Sequence, residues 1–383
     1  MRMLVLGAGL QGSACAYDLL QDKRVERVVV GDVRLDRIPS FLEALRSDPR
    51  LELRVVDARD SNSLRSAMSG VDACMNALPY YFNLEVSKLC VEAGVHCCDL
   101  GGNTAIVFEQ MKLDDAANAK NVSIIPDCGL APGMVNILAE AGIRELDQAE
   151  SVRMYVGGLP QAPEPPLNYK VVYSLEGVLD YYTTPSWVMR DGQPAQVDAL
   201  SEVESVKFPE PAGALEAFHT AGGLSTMATR YQGRIRTMEY KTLRYPGHAD
   251  IMRAVRGLGL LELTPINVDG QTVIPRALFI AAAEPHLRKP HSADLVALRV
   301  TVEGKKDGIA RKLTYDLLDF MDEAHGISAM ERTTGFSLAI TGSLQAQRLV
   351  NASGVQTPDL AMPAELYIEE LARRGIRIEK RVE

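Results

Sequence analysis

The stretch MLVLGAGLQG (residues 3–12) joins a run of apolar residues to three glycines in the spacing G-x-G-x-x-G. In a loop that follows a strand and opens a helix, the first glycine permits a tight turn and the second lets the backbone approach a pyrophosphate. The third allows close contact between helix and strand, and the free amides of the helix N-terminus hold the diphosphate. We therefore predict a dinucleotide-binding loop with cofactor contacts from Gly7, Gly9, Leu10, Gln11 and Gly12.

Five further strand-like runs follow the first, separated by amphipathic helical windows. In order, the six runs are MLVLG, RVVVGD, LELRVVD, DACMNAL, VHCCDL and VSIIPD. Such alternation implies right-handed crossovers and a mostly parallel sheet covered on both faces. The sequence therefore predicts an α/β fold in which residues 1–127 form a Rossmann-like, doubly wound domain.

The pattern changes after Asp127. Residues 128–330 mix helices with β-rich stretches such as TMEYKTLRY and LVALRVTVEG, which is typical of an α+β layer with a mixed or antiparallel sheet. This inserted region is predicted to be a separate substrate domain. The helix candidate AMERTTGFSLAITGSLQAQRLV carries small residues at close-packing spacings, so we expect residues 331–383 to return to the first domain.

The second strand ends in Asp32, 20 residues after Gly12. A carboxylate at this position accepts hydrogen bonds from both ribose hydroxyls of NAD and repels the extra phosphate of NADP. Arg34 offers the opposite interpretation, because an arginine just past this position can hold a 2′-phosphate, although it can also be a solvated charge at a helix start. The balance favours NAD as the cofactor.

Further cofactor contacts are predicted at the carboxyl ends of the strands, where ligands bind in open α/β sheets. Asp57 follows the third strand near the expected adenine, although a carboxylate there can equally cap a turn or a helix. The segment after the fourth strand lies where the nicotinamide ribose would bind. The helix that starts within PGMVNILAEAG presents free amides to the nicotinamide or to an anionic substrate group. The predicted contacts from these two segments are Asn76, Leu78, Pro79, Gly133 and Met134.

Composition excludes several other classes of function. The formal net charge is −9, with Lys and Arg scattered rather than gathered into a stripe, which argues against nucleic acid as a partner. The N-terminus lacks the pattern of a signal peptide, and no window approaches about 18 uninterrupted apolar residues, so we expect a cytoplasmic protein without a membrane partner. The six cysteines include no C-x-x-C pair, and no His/Cys/Asp cluster has zinc-like spacing. We predict reduced, structural cysteines and no metal.

Five segments together carry a resemblance to a known family. GAGLQG, DLGGN, DCGLAPGM, GGLSTM and YKTLRYPGH resemble the saccharopine dehydrogenase/reductase family, and most of all its shorter branch of L-lysine 6-dehydrogenases. The resemblance covers nearly the whole chain. It implies an NAD-binding Rossmann-like domain, an inserted domain that also forms homodimers, and an active site in the cleft between the two domains.

The reaction implied by this resemblance is oxidation of the ε-amine of L-lysine by NAD. The imine is hydrolysed to 2-aminoadipate 6-semialdehyde and ammonia, and the semialdehyde cyclises to piperideine-6-carboxylate. An ammonium group cannot give up hydride until it loses a proton, so a base with a pKa near neutrality is needed. Two alternatives remain: a saccharopine or carboxynorspermidine type of dehydrogenase that makes or breaks a C–N bond, and a non-catalytic sensor that binds NAD.

The predicted catalytic residues come from three segments. His248 has an ordinary pKa suited to a base, and Arg244 can bind the α-carboxylate of an amino-acid substrate bidentately. Both belong, with Tyr245, to the heptapeptide TLRYPGH, which the second domain would carry over the nicotinamide. Asp99 and Asp127 each end a strand at the cleft, where a carboxylate could hold the substrate ammonium.

Overall fold

The six predicted strands of the N-terminal region form one parallel sheet. The computed structural model describes residues 1–289, 292–351 and 353–383. The strands are β1 (Arg2–Leu6), β2 (Arg27–Asp32), β3 (Leu51–Val55), β4 (Ala73–Asn76), β5 (His96–Asp99) and β6 (Ser123–Ile125). The connecting helices are α1 (Leu10–Gln21), α2 (Ser40–Glu43), α3 (Ser61–Met68), α4 (Asn83–Ala93), α5 (Thr104–Met111) and α6 (Asp114–Ala119), with a 3₁₀ turn at Tyr80–Phe82. The all-parallel order β6-β5-β4-β1-β2-β3 confirms the predicted Rossmann-like fold.

Both faces of this sheet are buried, as a doubly wound fold requires. In β1 the side chains alternate, so that Met3 and Val5 join one hydrophobic cluster while Leu4 and Leu6 join another. All four side chains are fully buried. Because helices cover each face, the strands are continuous apolar runs, which is why they stand out in the sequence.

The region after β6 builds a second sheet. Its strands are β7 (Gln148–Pro160), β8 (Ser186–Arg190), β9 (Gln193–Val197), β10 (Glu204–Lys207), β11 (Ala214–His219), β12 (Thr237–Arg244), β15 (Asp294–Lys306) and β16 (Ile309–Phe320), while β13 (Ile266–Val268) and β14 (Gln271–Val273) pair as a separate two-stranded antiparallel sheet. Its helices are α7 (Met134–Glu145), α8 (Leu175–Thr183), α9 (Met227–Arg230), α10 (His248–Gly257) and α11 (Pro275–Leu287). Along the order β10-β11-β12-β7-β15-β16, β12 and β7 are parallel and the other neighbours are antiparallel, which confirms the predicted mixed sheet.

The C-terminal residues join both sheets. They form α12 (Ala329–Ala346), β17 (Gly354–Val355), α13 (Pro358–Ala361), α14 (Ala364–Arg373) and β18 (Glu379–Val382). α12 packs on α1 at Gly335, where an added Cβ would lie 2.7 Å from the Gln11 carbonyl oxygen, and β17 extends the parallel sheet beside β6. β18 instead pairs with β16, so the end of the chain belongs to the second sheet and departs from the predicted return of residues 331–383. This pairing covers backbone groups that an edge strand would otherwise leave open.

Two further sequence predictions concern membrane-spanning segments and the state of the cysteines. Within the described ranges, no helix is both long and apolar enough to cross a membrane. All six cysteines are free thiols buried in the core, where they pack as small apolar residues.

Candidate active site

A cavity of about 740 Å³ is lined by residues of both regions of the chain. From the first domain, the lining comes from the glycine loop and from the segments that follow β4, β5 and β6. From the second, it comes from β7, β12, α8 and α11. The predicted cofactor contacts that line this cavity are Gly9, Leu10, Gln11, Gly12, Leu78 and Pro79.

The glycine loop has the shape of a dinucleotide cradle. An added Cβ would lie 2.9 Å from the Ala77 carbonyl oxygen at Gly7 (φ +96°), and 1.9 Å from the Gly7 carbonyl oxygen at Gly12. At Gly9 it would meet no protein atom within 4 Å, so a diphosphate can approach the backbone there. Both side-chain amide atoms of Gln11 are buried without a partner among the described residues. Because unpaired buried amides are costly, this loop fits a bound dinucleotide.

The different surroundings of Gly9 and Gly12 predict different effects of alanine. Gly9→Ala should change the thermal unfolding midpoint by less than about 2 °C, yet weaken dinucleotide binding at least about tenfold, because its methyl group occupies the space of the diphosphate. Gly12→Ala should lower both stability and affinity, because its Cβ collides with the Gly7 carbonyl. Thermal melts and calorimetric titration with NAD measure both effects. Equal losses of stability in the two variants would contradict this account of the loop.

Asp32 lies at the end of β2 beside the glycine loop. Its Oδ2 accepts a hydrogen bond from the Ala8 N–H at 2.7 Å, and its Oδ1 accepts one from the Arg34 N–H at 2.9 Å. Each oxygen keeps a second lone pair that can accept from a ribose hydroxyl. The side chain of Arg34 is exposed, and only its backbone N–H contacts this carboxylate. Asp32, which favours NAD, and Arg34, which favours NADP, are therefore neighbours in the structure.

Asp57 and Asn76 already have partners within the protein. Asp57 pairs with Arg59 at 2.8 Å, and hydrogen bonds from Arg59 lower the pKa of this carboxyl group to about 2. The buried Asn76 donates to Asn83 at 2.9 Å and accepts from the Leu78 N–H at 3.3 Å. Asn76 therefore shapes the loop that carries Leu78 and does not itself line the cavity.

Gly133 and Met134 do not line the cavity. Both residues are buried, and the Gly133 N–H donates to the side chain of Asn136 at 2.7 Å. This hydrogen bond occupies an N–H group at the start of α7 that we expected, from the sequence, to bind a ligand. The residues of this segment that reach the cavity are Gly129, Leu130 and Ala131.

Asp99 and Asp127 lie together because β5 and β6 are parallel neighbours. Asp99 Oδ1 accepts from the N–H groups of Gly101 and Asp127, and its Oδ2 accepts from the Gln110 amide. Asp127 (φ +63°) accepts from the Ser225 hydroxyl at Oδ2, while its Oδ1 is buried without a hydrogen-bond partner among the described residues. Burial raises the pKa of both carboxyl groups to about 7.

Asp127 lies directly behind Gly101, which lines the cavity. An added Cβ at Gly101 (φ +67°) would lie 1.7 Å from Asp127 Oδ1, so only glycine leaves room for the carboxyl group. Ser225 (φ +52°), which holds the other oxygen, belongs to the second region of the chain. The carboxyl group is therefore held between Gly101 and Ser225, and its Oδ1 is buried directly behind the cavity wall at Gly101.

Successive side chains along β12 and the residue after it, Tyr245, point to opposite faces of the sheet. Tyr240, Thr242 and Arg244 line the cavity, whereas Tyr245 joins an apolar cluster on the other face. The Tyr245 hydroxyl donates to the Pro160 carbonyl at 2.9 Å. Tyr245 is therefore a structural residue, and the predicted role beside Arg244 does not fit its position.

Arg244 is a buried arginine that faces the cavity, with only 3% of its surface exposed. Its Nε donates to the Tyr182 hydroxyl at 3.2 Å, its Nη1 donates to the Leu243 carbonyl at 2.9 Å, and the guanidinium lies 4.7 Å from the ring centroid of Tyr169. Among the described residues, no carboxylate forms an ion pair with it. Because a buried cation without a counter-charge is costly, this position favours an anionic ligand group such as a carboxylate.

His248, the predicted base, is buried beneath Arg244 and does not line the cavity. Its Nδ1 faces the Leu167 carbonyl at 3.2 Å, and its Nε2 faces the Tyr182 hydroxyl at 3.0 Å. Burial, followed by the positive charge of Arg244, lowers the pKa of this imidazole to about 3. A ring with both nitrogens engaged in hydrogen bonds and with a pKa of about 3 is badly suited to deprotonate a substrate amine. The geometry therefore argues against His248 as the base.

Acidic side chains and tyrosines line the remaining walls of the cavity. Asp180 pairs with Arg276 and Glu284 pairs with Arg288, whereas Glu176 at the start of α8 is exposed. Carboxylates and tyrosine ring faces both attract an ammonium group. The tyrosines are Tyr80, Tyr81, Tyr173, Tyr181 and Tyr240.

Two groups of potential metal ligands lie away from the cavity. One is a trio of thiols inside the apolar core, with sulfur atoms within 4.8 Å of one another: Cys74, Cys90 and Cys97. The other also has its ligand atoms within 4.8 Å of one another: Glu202, His219 and Glu239. In the second group, Arg190 bonds to both carboxylates and already offsets their charge.

Several residues of the site escape sequence reasoning. Tyr240 and Thr242 could have been found from Arg244, because residues two and four positions apart on a strand share a face. Tyr182 and the α11 residue Glu284 have no such local signal. They reach the site only because α8 and α11 pack near β12.

The parallel sheet with its glycine loop, the second mixed sheet and the shared cavity define a two-domain, dinucleotide-binding oxidoreductase. Residues 3–125 match the saccharopine dehydrogenase NADP binding domain, and residues 129–376 match the saccharopine dehydrogenase C-terminal domain. The chain belongs to the saccharopine dehydrogenase family, which confirms the family resemblance.

Two curated relatives illustrate the range of the family. Over 277 residues the chain is 26% identical to saccharopine dehydrogenase (NADP(+), L-glutamate-forming) of Schizosaccharomyces pombe, covering 68% of this chain and 58% of the relative. Over 254 residues it is 27% identical to alpha-aminoadipic semialdehyde synthase of Arabidopsis thaliana, covering 63% of this chain and 23% of the relative. The match thus spans little more than half of the first relative and about a quarter of the second.

Two solved structures share the fold over the whole chain. Apo saccharopine dehydrogenase (L-Glu forming) from Saccharomyces cerevisiae has a TM-score of 0.79 at 19% identity, covering 100% of this chain and 99% of that one. Homospermidine synthase from Legionella pneumophila in complex with NAD has a TM-score of 0.72 at 12% identity, covering 100% and 91%. At these identities the similarity establishes the fold.

Proposed function

We propose that this protein oxidises the ε-amine of L-lysine with NAD, giving ammonia and 2-aminoadipate 6-semialdehyde, which cyclises to piperideine-6-carboxylate. The observation that carries the proposal is Arg244, a buried arginine that faces the cavity without a carboxylate partner among the described residues. Its planar guanidinium suits the α-carboxylate of an amino acid. The tyrosines and Glu176 on the other walls suit the amino groups.

The charges around the cavity support a substrate with one carboxylate. Among the described lining residues the cations are Arg244 and Arg288, and Arg288 is already paired with Glu284. Glu176 adds a further negative charge, whereas Asp180 is already paired with Arg276. Saccharopine carries three carboxylates and would leave two of them without a free cationic partner, which is unfavourable in a partly desolvated site. L-Lysine, with one carboxylate and two amines, matches these charges better.

Asp127 is the proposed proton acceptor. The substrate amine must lose a proton before its carbon can release hydride, and a base with a pKa near neutrality does this best. Burial raises the pKa of Asp127 to about 7, and its Oδ1 has no partner among the described residues. The Ser225 hydroxyl holds the other oxygen in place. NAD bound on the glycine loop would supply the hydride acceptor.

NAD is proposed over NADP because the Asp32 carboxylate beside the glycine loop disfavours a 2′-phosphate. The relatives do not decide this choice. The name of the S. pombe enzyme includes NADP(+), whereas the Legionella structure contains NAD. The exposed Arg34 is the residue that would favour NADP.

A dehydrogenase that makes or breaks a C–N bond is the second candidate. The names of the S. pombe and S. cerevisiae relatives, both saccharopine dehydrogenases, and of the homospermidine synthase favour it. A cavity of about 740 Å³ also has room for a substrate larger than lysine.

A substrate and cofactor panel tests these candidates. Purified protein is mixed with NAD or NADP and with L-lysine, L-ornithine or L-saccharopine, and both the reduced cofactor and ammonia are measured. We expect NADH from L-lysine and NAD, with one ammonia released per NADH. Reduction of cofactor by L-saccharopine without ammonia would establish the second candidate. Tight NAD binding without turnover of any substrate would indicate a non-catalytic sensor.

A further inference from the structure

A chain of three hydrogen bonds connects Arg244 to a backbone carbonyl on the far side of His248. The Nε of Arg244 lies 3.2 Å from the Tyr182 oxygen, which lies 3.0 Å from Nε2 of His248. Nδ1 of His248 lies 3.2 Å from the Leu167 carbonyl oxygen. All three side chains are buried, and of the three only Arg244 lines the cavity.

Burial and the nearby charge of Arg244 keep His248 neutral, and with a neutral imidazole the two ends of this chain fix the direction of every bond in it. A guanidinium N–H can only donate, and a carbonyl oxygen can only accept. The Tyr182 oxygen therefore accepts from Arg244 and donates its own proton to Nε2 of His248, while Nδ1–H of His248 donates to Leu167. The arrangement requires a neutral imidazole with its proton on Nδ1.

Aromatic packing holds the imidazole and the guanidinium in the same cluster. Phe218 stacks on His248 with ring centroids 6.2 Å apart and planes inclined by 7°. Tyr169 and Tyr182 meet His248 edge-on, at 5.5 and 5.7 Å between centroids. Tyr169 also lies 4.7 Å from the Arg244 guanidinium. Neither His248 nor Arg244 can turn without disturbing its neighbours.

The charged and titratable groups around the imidazole support the same direction of bonding. Arg244 supplies a positive charge, and the hydroxyl of Tyr182 needs an acceptor for its proton. Glu216 accepts from the backbone N–H groups of Gly247 and Ala249 at the start of α10, at 2.9 and 2.6 Å. A second proton on His248 would add a positive charge beside Arg244 and remove the acceptor for Tyr182.

We infer that His248 and Tyr182 are positioning residues that set the plane of the Arg244 guanidinium for the substrate carboxylate. With Nε held by Tyr182 and Nη1 bonded to the Leu243 carbonyl, the remaining N–H groups are left for a ligand. The identity of that ligand as the α-carboxylate of lysine rests on the proposed function. The orientation of Arg244 does not depend on which substrate binds.

Two substitutions at His248 separate positioning from proton transfer. His248→Gln keeps an acceptor within reach of Tyr182, whereas His248→Leu removes it at similar volume. We expect His248→Leu and Tyr182→Phe to raise KM for L-lysine about tenfold, with kcat and the KM for NAD changed less than about twofold. His248→Gln should stay within about threefold of the wild-type constants, with an unchanged pH profile of kcat/KM.

Crystal structures of the wild-type and His248→Leu proteins give a readout that needs no substrate. We expect the guanidinium of Arg244 to move in the variant. An unmoved guanidinium, or an unchanged KM in folded His248→Leu protein, overturns the inference, and losses of kcat above about 100-fold in both His248 variants would make His248 the base. If wild-type protein does not oxidise L-lysine, the proposed function fails while the structures still decide the inference. Tyr182→Phe takes the place of His248→Leu in these structures if that variant does not fold.

Discussion

Asp127→Asn should leave the binding of NAD and L-lysine unchanged and lower kcat at least about 100-fold. Asparagine has nearly the same shape, and its amide oxygen can still accept from Ser225, but it cannot take a proton. The proton would otherwise go to Oδ1, the buried oxygen without a partner among the described residues, behind Gly101. Steady-state kinetics and calorimetric titration with NAD measure the two quantities separately.

The raised pKa of Asp127 also predicts how activity and stability depend on pH. Only the ionised carboxylate accepts a proton, so kcat/KM should fall as the pH decreases through about 7. The free energy of unfolding has the opposite pH dependence, because the folded protein binds this proton more tightly than the unfolded chain does. The contribution of Asp127 to stability is present below its ordinary pKa of 3.8 and is lost as the pH rises through about 7. In Asp127→Asn, the Asp127 contribution to the pH dependence of kcat/KM and of stability should be absent.

Asp99→Asn is the matched control. Asp99 is equally buried and has a similarly raised pKa, but its oxygens accept from the N–H groups of Gly101 and Asp127 and from Gln110. An amide there turns a donor toward another donor, so this variant should lose more thermal stability and less kcat than Asp127→Asn. If Asp127→Asn keeps more than about a tenth of the wild-type kcat, another group accepts the proton.

The parts of the fold that the sequence predicts well have local signals. The strands of the first sheet are continuous apolar runs because both of their faces are buried, as β1 shows. The glycine loop needs only its spacing and its place between a strand and a helix. Arg244 also stands out locally, because β12 presents it on the same face as Tyr240 and Thr242.

The heptapeptide TLRYPGH contains two residues, Tyr245 and His248, whose surroundings depend on tertiary packing. Tyr245 directly follows Arg244, so strand alternation turns it toward the opposite face. His248 starts α10, but its partner Tyr182 lies 66 residues earlier, on α8. Only the packing of α8 reveals that the imidazole is buried. The same limit applies to β18, since nothing in its sequence indicates that β16 needs a neighbour.

Arg244→Met should lower kcat/KM for L-lysine by about 100- to 1000-fold. Two charge-assisted hydrogen bonds to a buried carboxylate contribute roughly 3–4 kcal/mol together, and methionine keeps most of the volume but donates none. The wild-type protein holds this cation without a carboxylate among the described residues, so its removal should leave the thermal unfolding midpoint unchanged or raise it. Kinetics with L-lysine and thermal melts test the two expectations.

The control substrate is 1,5-diaminopentane, which has the two amines of lysine at the same spacing but no carboxylate. With wild-type protein its kcat/KM should be lower than that of L-lysine by about the factor that Arg244→Met loses with L-lysine. The variant should then oxidise both substrates with similar kcat/KM, because the contact between guanidinium and carboxylate is absent in either case. An equal fall for both substrates would instead mean that Arg244 supports the fold or the cofactor, and the carboxylate would have to bind elsewhere in the cavity.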